Sequence, residues 1–198
     1  MEARLLSLEG QFWIPGYREL FASSGACAAT KRGMESLLGR PGGVISVLVV
    51  GGAPESLNSD KEKIRLVLKK RKGFIKLALR YGVNLVPTFS FGEAFIYGQI
   101  PNPEGSLVRR IQDYLQHIVG FAPVLFFGRG VFQYAYGIVP FRKPITLVVG
   151  KPILVQRVQN PSNEDIESLH SRYVSELTKL YSEYNPVYGD VNVELVIT

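Results

Sequence analysis

The sequence predicts an α/β fold in which a mostly parallel sheet is flanked by helices, within a single domain of residues 1–198. Helical and strand patterns alternate along the chain, an order typical of layered folds with parallel strands. Residues 44–50 form a near-continuous apolar run rich in β-branched side chains, which predicts a central strand covered on both faces. A chain of 198 residues with 46% hydrophobic and 20% charged residues has the size and composition of one globular domain.

The N-terminal half carries elements whose ends are marked by glycine or proline. Gly39 closes the second short helix, and Gly82 has the position of a left-handed helix cap. Pro87 lacks a backbone N–H, so the strand that contains it ends or bulges there. The predicted elements are short helices at residues 16–25 and 31–38, the strand at 44–50, an amphipathic helix at 70–81 and a strand at 84–91.

The C-terminal half ends in the clearest helical pattern of the chain. Ser162 is placed to cap this helix, with Asp165 three residues later as a weaker form of the capping box. Before it, an apolar stripe at helical spacing predicts a helix at residues 104–119. The other predicted elements are strands at residues 123–127 and 145–149 and a final edge strand at 191–197.

Positive charge is concentrated in one segment, residues 61–80. This segment holds nine Lys or Arg residues against Glu62 alone, a balance of +8, whereas the whole chain carries +6. Such a patch predicts a polyanionic partner or a membrane surface. Nucleic acid is disfavoured as that partner, because the aromatic residues fall in strands and apolar faces and form no base-stacking motif.

Several classes of catalytic and metal site are excluded by the residues themselves. Cys27 is the only cysteine, so no internal disulfide and no paired Cys/His zinc site can form, and we expect no metal. His117 and His170 lie in helical patterns, and neither begins a His-x4-Asp acyltransferase motif. No G-x-S-x-G elbow and no phosphate-binding P-loop occurs. The residues alone therefore reveal no nucleophile–base pair.

A glycine-containing loop at residues 51–56 is the first candidate site segment. Gly51 and Gly52 follow the apolar strand, and their backbone amides can approach a substrate oxygen closely. Glu55 and Ser56 come next, at the strand's carboxyl end, where ligands collect in open α/β sheets. Glu55 is placed to orient a hydroxyl or to brace a neighbouring base. The alternative is an ordinary turn with an acid near a helix start.

The basic helix is the second candidate segment. Lys72, Lys76 and Arg80 recur every four residues and so form one column, while apolar side chains face inward. A column of fixed cations fits the phosphates of a carrier such as coenzyme A. The alternative is a solvated helix face with no ligand.

Two further charged residues complete the candidate site. Glu93 follows the strand at residues 84–91, where several aromatic side chains also lie. Arg129 stands between two glycines in Phe127-Gly128-Arg129-Gly130 and is placed to pair with an anion. For the aromatic strand the alternative is core packing followed by a turn.

Several blocks of sequence, in this order and spacing, resemble the diacylglycerol acyltransferase type 2 family, which includes the monoacylglycerol acyltransferases. The resemblance runs from about Leu5 to near the C-terminus, and the "GRGVFQY" run is most similar to the monoacylglycerol branch. The blocks are "VGGAPESL" at residues 50–57, "RKGFIKLALR" at 71–80, "LVP" at 85–87 with "SFGE" at 90–93, "GRGVFQY" at 128–134 and "PITLVVGKP" at 144–152.

The resemblance implies an enzyme of the endoplasmic reticulum membrane, on its cytosolic face and extending to lipid droplets, that moves a fatty acyl group from acyl-CoA to mono- or diacylglycerol. It implies a fold like that of glycerolipid acyltransferases, with acyl-CoA as co-substrate and no further cofactor. In the implied mechanism a histidine takes the proton from the acceptor hydroxyl, which attacks the thioester carbonyl. By position, Glu55 matches the acid of the family's second signature, and residues 71–80 match its basic segment on the acyl-CoA side.

One difference from the family pattern bears on activity. The family's His-Pro-His-Gly block and the membrane segment before it lie upstream of where this sequence begins, so we expect a C-terminal portion of the enzyme. Phe127 also stands where relatives often have histidine. An incomplete sheet leaves an uncovered edge, which predicts association with membrane, with a second copy or with another chain. The alternative function is a catalytically inactive isoform that binds lipid or regulates an intact relative.

Overall fold

The computed structural model of the protein describes residues 2–13, 15–50, 63–99, 114, 126–130, 137, 139–190 and 192–198. Contacts within the chain divide it into two units. The first unit contains Met1–Gly52, Val67–Leu85 and Pro152–Tyr173, and the second contains Ala53–Leu66, Val86–Lys151 and Val174–Thr198. Because segments of the two units alternate along the chain, the single domain expected from its length stays a prediction.

A three-stranded parallel sheet begins the first unit. Its strands are β1 (Glu2–Ser7), β2 (Cys27–Ala28) and β3 (Val44–Leu48), in the order β2-β1-β3. Between the strands lie a 3-10 helix at Glu9–Trp13, α1 (Tyr17–Ser23) and α2 (Lys31–Leu38). Thr30 caps α2, since its Oγ1 accepts a hydrogen bond from the Gly33 N–H at 3.1 Å. The two short helices are confirmed, whereas β1 was not anticipated from the sequence.

The prediction that the apolar run at residues 44–50 is covered on both faces is wrong. Ile45 and Val47 are 50% and 48% exposed, and Val49, just past the strand, is 67% exposed. The half-buried face of β3 instead carries Val44, Ser46 and Leu48, so burial does not follow the hydrophobicity of the side chains. Within the described residues, β3 is the last strand in the order β2-β1-β3 and is bonded to β1, so it is also not a central strand.

The basic helix α3 (Gly73–Tyr81) packs its apolar face into the core of the first unit. It ends at Gly82, whose φ of 66° confirms the predicted left-handed cap. The helix begins three residues later than predicted, because the chain first makes a turn in which the Arg71 N–H donates to the Leu68 carbonyl at 3.0 Å. The core around it consists of Ile75, Leu79, Ile153, Ile166 and Leu169.

The long helix α4 (Asn163–Tyr188) confirms the clearest prediction of the sequence. The Asp165 carboxylate accepts hydrogen bonds from both the backbone N–H and the hydroxyl of Ser162, each at 2.8 Å. In return the Asp165 N–H donates to Ser162 Oγ at 3.1 Å. This reciprocal arrangement is a capping box with aspartate in the usual place of glutamate.

Replacing Ser162 by alanine is expected to raise the pKa of Asp165 toward its usual value. The Ser162 hydroxyl, and after it the Ser162 backbone N–H, lower the pKa of Asp165 because both donate to the ionised carboxylate. Since the folded-state pKa is depressed, the cap stabilises the fold above the usual carboxyl pKa and loses that contribution as the pH falls through the depressed value. An NMR titration of the Asp165 carboxyl measures the change, with Ser171→Ala on the same helix as control. An unchanged pKa in Ser162→Ala would assign the effect to the backbone alone.

The second unit contains antiparallel as well as parallel pairs, which corrects the predicted mostly parallel sheet to a mixed α/β arrangement. The parallel pair joins β4 (Lys63–Leu66) to β9 (Glu194–Ile197). The antiparallel pairs join β5 (Thr88–Phe91) to β8 (Thr146–Val149) and β6 (Gly98–Gln99) to β7 (Phe126–Phe127). Apolar patterns locate strands but carry no information about direction when the partners are far apart in sequence, as Thr88 and Val149 are.

The predicted strands of this unit are confirmed in shortened form. Only the last four residues of 84–91 form β5, and Leu85 makes an isolated antiparallel bridge to Ile153 within the first unit. The strands at 145–149 and 191–197 are observed as β8 and β9. Of the helix predicted at 104–119 the structure describes Tyr114, which is helical, and the strand predicted at 123–127 is described only as β7.

Aromatic side chains pack one face of β5 in the second unit. Phe89 and Phe91 are buried, and their rings lie 5.0 and 5.9 Å from the ring of Tyr181 on α4. The Tyr181 hydroxyl donates to the Val193 carbonyl at 2.8 Å, so the phenol is satisfied although it is buried. Among the helices that the structure describes, none has the length and apolar character needed to cross a membrane.

Candidate functional site

The predicted site residues fall into three groups in the structure. Gly51, Gly52, Glu55 and Ser56 lie outside the described residues, and their role stays a prediction. Lys72, Lys76 and Arg80 belong to the first unit, and Glu93 and Arg129 belong to the second.

The turn before α3, which we call the basic turn (residues 68–71), projects consecutive cations into solvent. Leu68 is 3% exposed and anchors the turn, while its carbonyl accepts the turn hydrogen bond from Arg71. Lys69 and Lys70 occupy the two central positions, and both are exposed, as is Arg71. The buried Leu68 therefore holds the first position of a turn whose two central residues are lysines.

The predicted column of Lys72, Lys76 and Arg80 is only partly free to bind an anion. Lys72 immediately precedes α3, and its Nζ donates to the Glu167 carboxylate. The Arg80 guanidinium lies 3.8 Å from a carboxylate oxygen of Glu35. Lys76 is exposed, and no carboxylate of the described residues lies within 4.0 Å of its ammonium group. Two of the three cations are thus paired within the protein.

The positive charge available to a ligand lies in four cations that are close together in sequence, which we call the basic cluster. These are Lys69, Lys70, Arg71 and Lys76, all exposed and without an ion pair in the part of the chain that the structure describes. Of these four residues, the predicted column contained only Lys76. The other three belong to the dense run of positive charge at residues 69–72, which the sequence also showed.

The start of α3 adds to the positive potential of the basic cluster. Lys72 stands at the cap position and has no acceptor to offer, so its side chain does not cap the first turn of the helix. The first backbone N–H groups of a helix carry a partial positive charge, which favours anions there.

In the second unit, Glu93 and Arg129 are held by backbone structure. Gly92, with φ of 88°, follows β5, and Glu93, which is exposed, begins a short 3-10 helix, Glu93–Phe95. Arg129 pairs with Val139 through both backbone groups, and its guanidinium Nε donates to the Pro140 carbonyl at 3.1 Å. Arg129 therefore stabilises its own bridge, and anion binding by it stays a prediction.

His170 is the one histidine within the described residues, and its environment is structural. The side chain is 5% exposed on α4, and its Nε2 lies 3.0 Å from the Leu68 carbonyl oxygen. Because a carbonyl can only accept, we assign the hydrogen to Nε2. A buried ring with this nitrogen engaged is not placed to take a proton from a substrate hydroxyl. His117 lies outside the described residues.

Comparison with known proteins agrees with the motif blocks. The family model described as "Diacylglycerol acyltransferase" matches residues 1–198. Similar curated proteins include 2-acylglycerol O-acyltransferase 1 of Bos taurus, 48% identical over 94% of this chain and 56% of that protein. Diacylglycerol O-acyltransferase 2 of Dictyostelium discoideum is 45% identical over 96% of this chain and 58% of its own length.

The similarity extends over several lineages. Diacylglycerol O-acyltransferase 2 of Bos taurus is 43% identical over 97% of this chain and 54% of its own length. The chain spans about half the length of the curated relatives it matches. No solved structure matches it. Since the family model covers the chain from its first residue to its last, the chain belongs to the diacylglycerol acyltransferase family.

Proposed function

We propose that this chain acts in acyl-CoA-dependent O-acyl transfer of neutral glycerolipid synthesis, in which a fatty acyl group passes to mono- or diacylglycerol. The observation that carries the proposal is the family match over residues 1–198, together with relatives named as acylglycerol O-acyltransferases at 42% to 48% identity. We propose the cytosolic face of the endoplasmic reticulum membrane and lipid droplets as its location, because acceptor and product are apolar lipids.

The proposed reaction is a direct transfer between thioester and ester. The acceptor hydroxyl oxygen attacks the thioester carbonyl, so that a C–O bond forms and the C–S bond breaks. A base removes the hydroxyl proton, which finally passes to the departing coenzyme A thiolate. In this scheme Glu55 orients that base, and the backbone amides of Gly51 and Gly52, with Ser56, line the approach of the substrate oxygen.

The basic cluster binds the phosphate groups of coenzyme A in this proposal. Its four exposed cations lie within residues 69–76, and no carboxylate of the described chain is paired with them. Hydrogen bonds from lysine or arginine to phosphate are charge-assisted and about twice as strong as neutral ones. Lys72 and Arg80 already bind Glu167 and Glu35, so their charges are balanced within the protein, and their contact with a phosphate stays a prediction.

A second candidate function is that of an inactive lipid-binding or regulatory partner. The observation that favours it is the burial of His170, the only histidine that the structure describes, with its Nε2 bonded to a backbone carbonyl. An acyl-transfer assay separates the two functions. The purified full chain is incubated with radiolabelled acyl-CoA and with mono- or diacylglycerol, and the labelled ester is measured. Ester formation supports the enzyme, and its absence while coenzyme A still binds supports the inactive partner.

Replacing Glu55 by glutamine is expected to lower kcat about tenfold with little change in KM for acyl-CoA. A general base contributes roughly 100- to 10 000-fold to such a reaction, and a residue that only orients the base accounts for a fraction of that. Steady-state kinetics measure the change, with Glu183→Gln, an exposed residue of α4, as the matched control. Normal turnover in Glu55→Gln would remove this acid from the mechanism.

A further inference from the structure

We infer that His170 is a positioning residue for acyl-CoA binding, which holds the basic turn in the conformation that presents its cations to the phosphates. This inference rests on the proposed function of the basic cluster. It assigns a purpose to a buried histidine that the reaction itself does not use. The structural basis is the contact between His170 Nε2 and the Leu68 carbonyl at 3.0 Å.

One side of α4 holds the chain around the basic turn at three points. Glu167, His170 and Tyr173 are spaced three residues apart, so each is a neighbour of the next on the surface of the helix. Glu167 accepts a hydrogen bond from Lys72, and His170 binds the carbonyl of Leu68. The Tyr173 ring packs edge-on against Phe74, with ring centroids 5.2 Å apart. In sequence, these contacts at residues 68, 72 and 74 lie before and after the three exposed cations of the basic turn.

The Leu68 carbonyl takes part in both the His170 contact and the turn hydrogen bond. This oxygen accepts the turn hydrogen bond from the Arg71 N–H at 3.0 Å and the bond from His170 at the same distance. A buried carbonyl with two donors is fully satisfied, so Leu68 is fixed in both position and orientation. Without the imidazole, the turn keeps one of these two bonds and its cations sample more conformations. A ligand that needs them in one arrangement must then order them on binding, which lowers its affinity.

The alternative is that His170 only fills and stabilises the core. Removing a core side chain lowers the free energy of unfolding, but it leaves the affinity of the folded protein for a ligand unchanged. The two roles therefore differ in whether the effect of His170 depends on the cations of the basic turn. A double-mutant cycle between His170 and those cations measures that dependence directly.

The test measures binding of coenzyme A to the full chain by titration calorimetry, with pantetheine, which lacks the phosphates, as control ligand. His170→Leu is expected to weaken coenzyme A binding about fivefold and to leave pantetheine unchanged. His170→Gln, whose amide can donate to the same carbonyl, is expected to restore most of the affinity. Combining His170→Leu with Lys69→Gln and Lys70→Gln is expected to add little to the effect of the lysine changes alone.

Three results would overturn the inference, and they differ in whether the proposed function of the basic cluster remains valid. If the lysine changes weaken binding and His170→Leu does not, or if the effects are additive, the positioning role is wrong and the function of the basic cluster stands. If the lysine changes themselves have no effect, the proposed function of the cluster fails, and the inference with it. Should His170→Leu not fold, His170→Met replaces it, because methionine adapts to an irregular buried site but cannot donate to the Leu68 carbonyl. This variant is expected to weaken coenzyme A binding about fivefold and to speed amide exchange at Arg71.

Discussion

Replacing the basic cluster by glutamine is expected to weaken coenzyme A binding by about 100-fold, because each lost charge-assisted contact to phosphate contributes roughly threefold. The variant carries glutamine at Lys69, Lys70, Arg71 and Lys76. All four side chains are exposed, so the fold and its thermal stability are expected to stay within the normal range of surface substitutions. Titration of coenzyme A into the full chain at several salt concentrations measures both the affinity and its salt dependence. The parent affinity should fall as salt rises, and that of the variant should change little.

A control variant with the same change in net charge separates local binding from the general field of the protein. It replaces four exposed cations of the first unit that also lack an ion pair among the described residues: Lys31, Arg32, Arg40 and Arg172. Removal of these charges is expected to weaken coenzyme A binding by about threefold at most, through the long-range field. Equal losses in the two variants would mean that coenzyme A responds to overall charge and that the basic cluster is not its site.

Replacing Gly92 by alanine is expected to lower the free energy of unfolding by about 3 kcal/mol. Its φ of 88° is a conformation that residues with a side chain adopt only at a cost of roughly 1–2 kcal/mol. In addition, a Cβ at this position would collide with the carbonyl oxygen of Pro144, which the backbone must move to relieve. Gly92 connects β5 to the helical turn that carries Glu93, so this strain falls on one of the predicted site residues. Urea denaturation of the purified variant measures the loss.

Two other glycines separate the contributions to that loss. Gly42 also has a positive φ, 101°, but a Cβ there meets no atom within 4 Å, so Gly42→Ala reports the backbone strain alone. Gly73, at the first position of α3, has neither restriction, and Gly73→Ala is expected to be neutral or stabilising by up to about 1 kcal/mol. If Gly92→Ala costs no more than Gly42→Ala, the backbone at Pro144 moves aside easily, and the expected cost of the collision with its carbonyl oxygen is wrong.

Local sequence signals predicted the helices well. Gly39 ends α2, Gly82 ends α3, and Ser162 with Asp165 begins α4. Each of these signals acts within a few residues of its own position. Strands were less predictable. β4 contains Lys63 and Arg65, so in the sequence it is not distinguished from the rest of the charged segment. Its partner, β9, lies near the C-terminal end of the chain. Such pairing depends on contacts that no local pattern records.

The candidate site was predictable in charge but not in detail. The density of Lys and Arg predicted a basic patch, and within the first unit the structure shows Lys69, Lys70, Arg71 and Lys76 exposed. Which cations are free depends on acids far away in sequence, such as Glu167, 95 residues from Lys72. Spacing alone therefore favoured Lys72 and Arg80, which are paired, over Lys69 and Lys70, which have no ion pair within the described part of the chain. The burial of His170 against Leu68 was equally beyond local patterns, since it joins residues 102 positions apart.

The helix α4 serves both units, because residues up to Tyr173 belong to the first and those from Val174 to the second. A premature stop codon shortly before Asn163 would delete Ile166 and Leu169 from one hydrophobic core and Tyr181 from the aromatic cluster of the other. No contiguous gene fragment encodes either unit by itself. Expression trials that trim this chain from its C-terminus should therefore lose folded protein abruptly once the trimming enters this helix, instead of yielding a stable half.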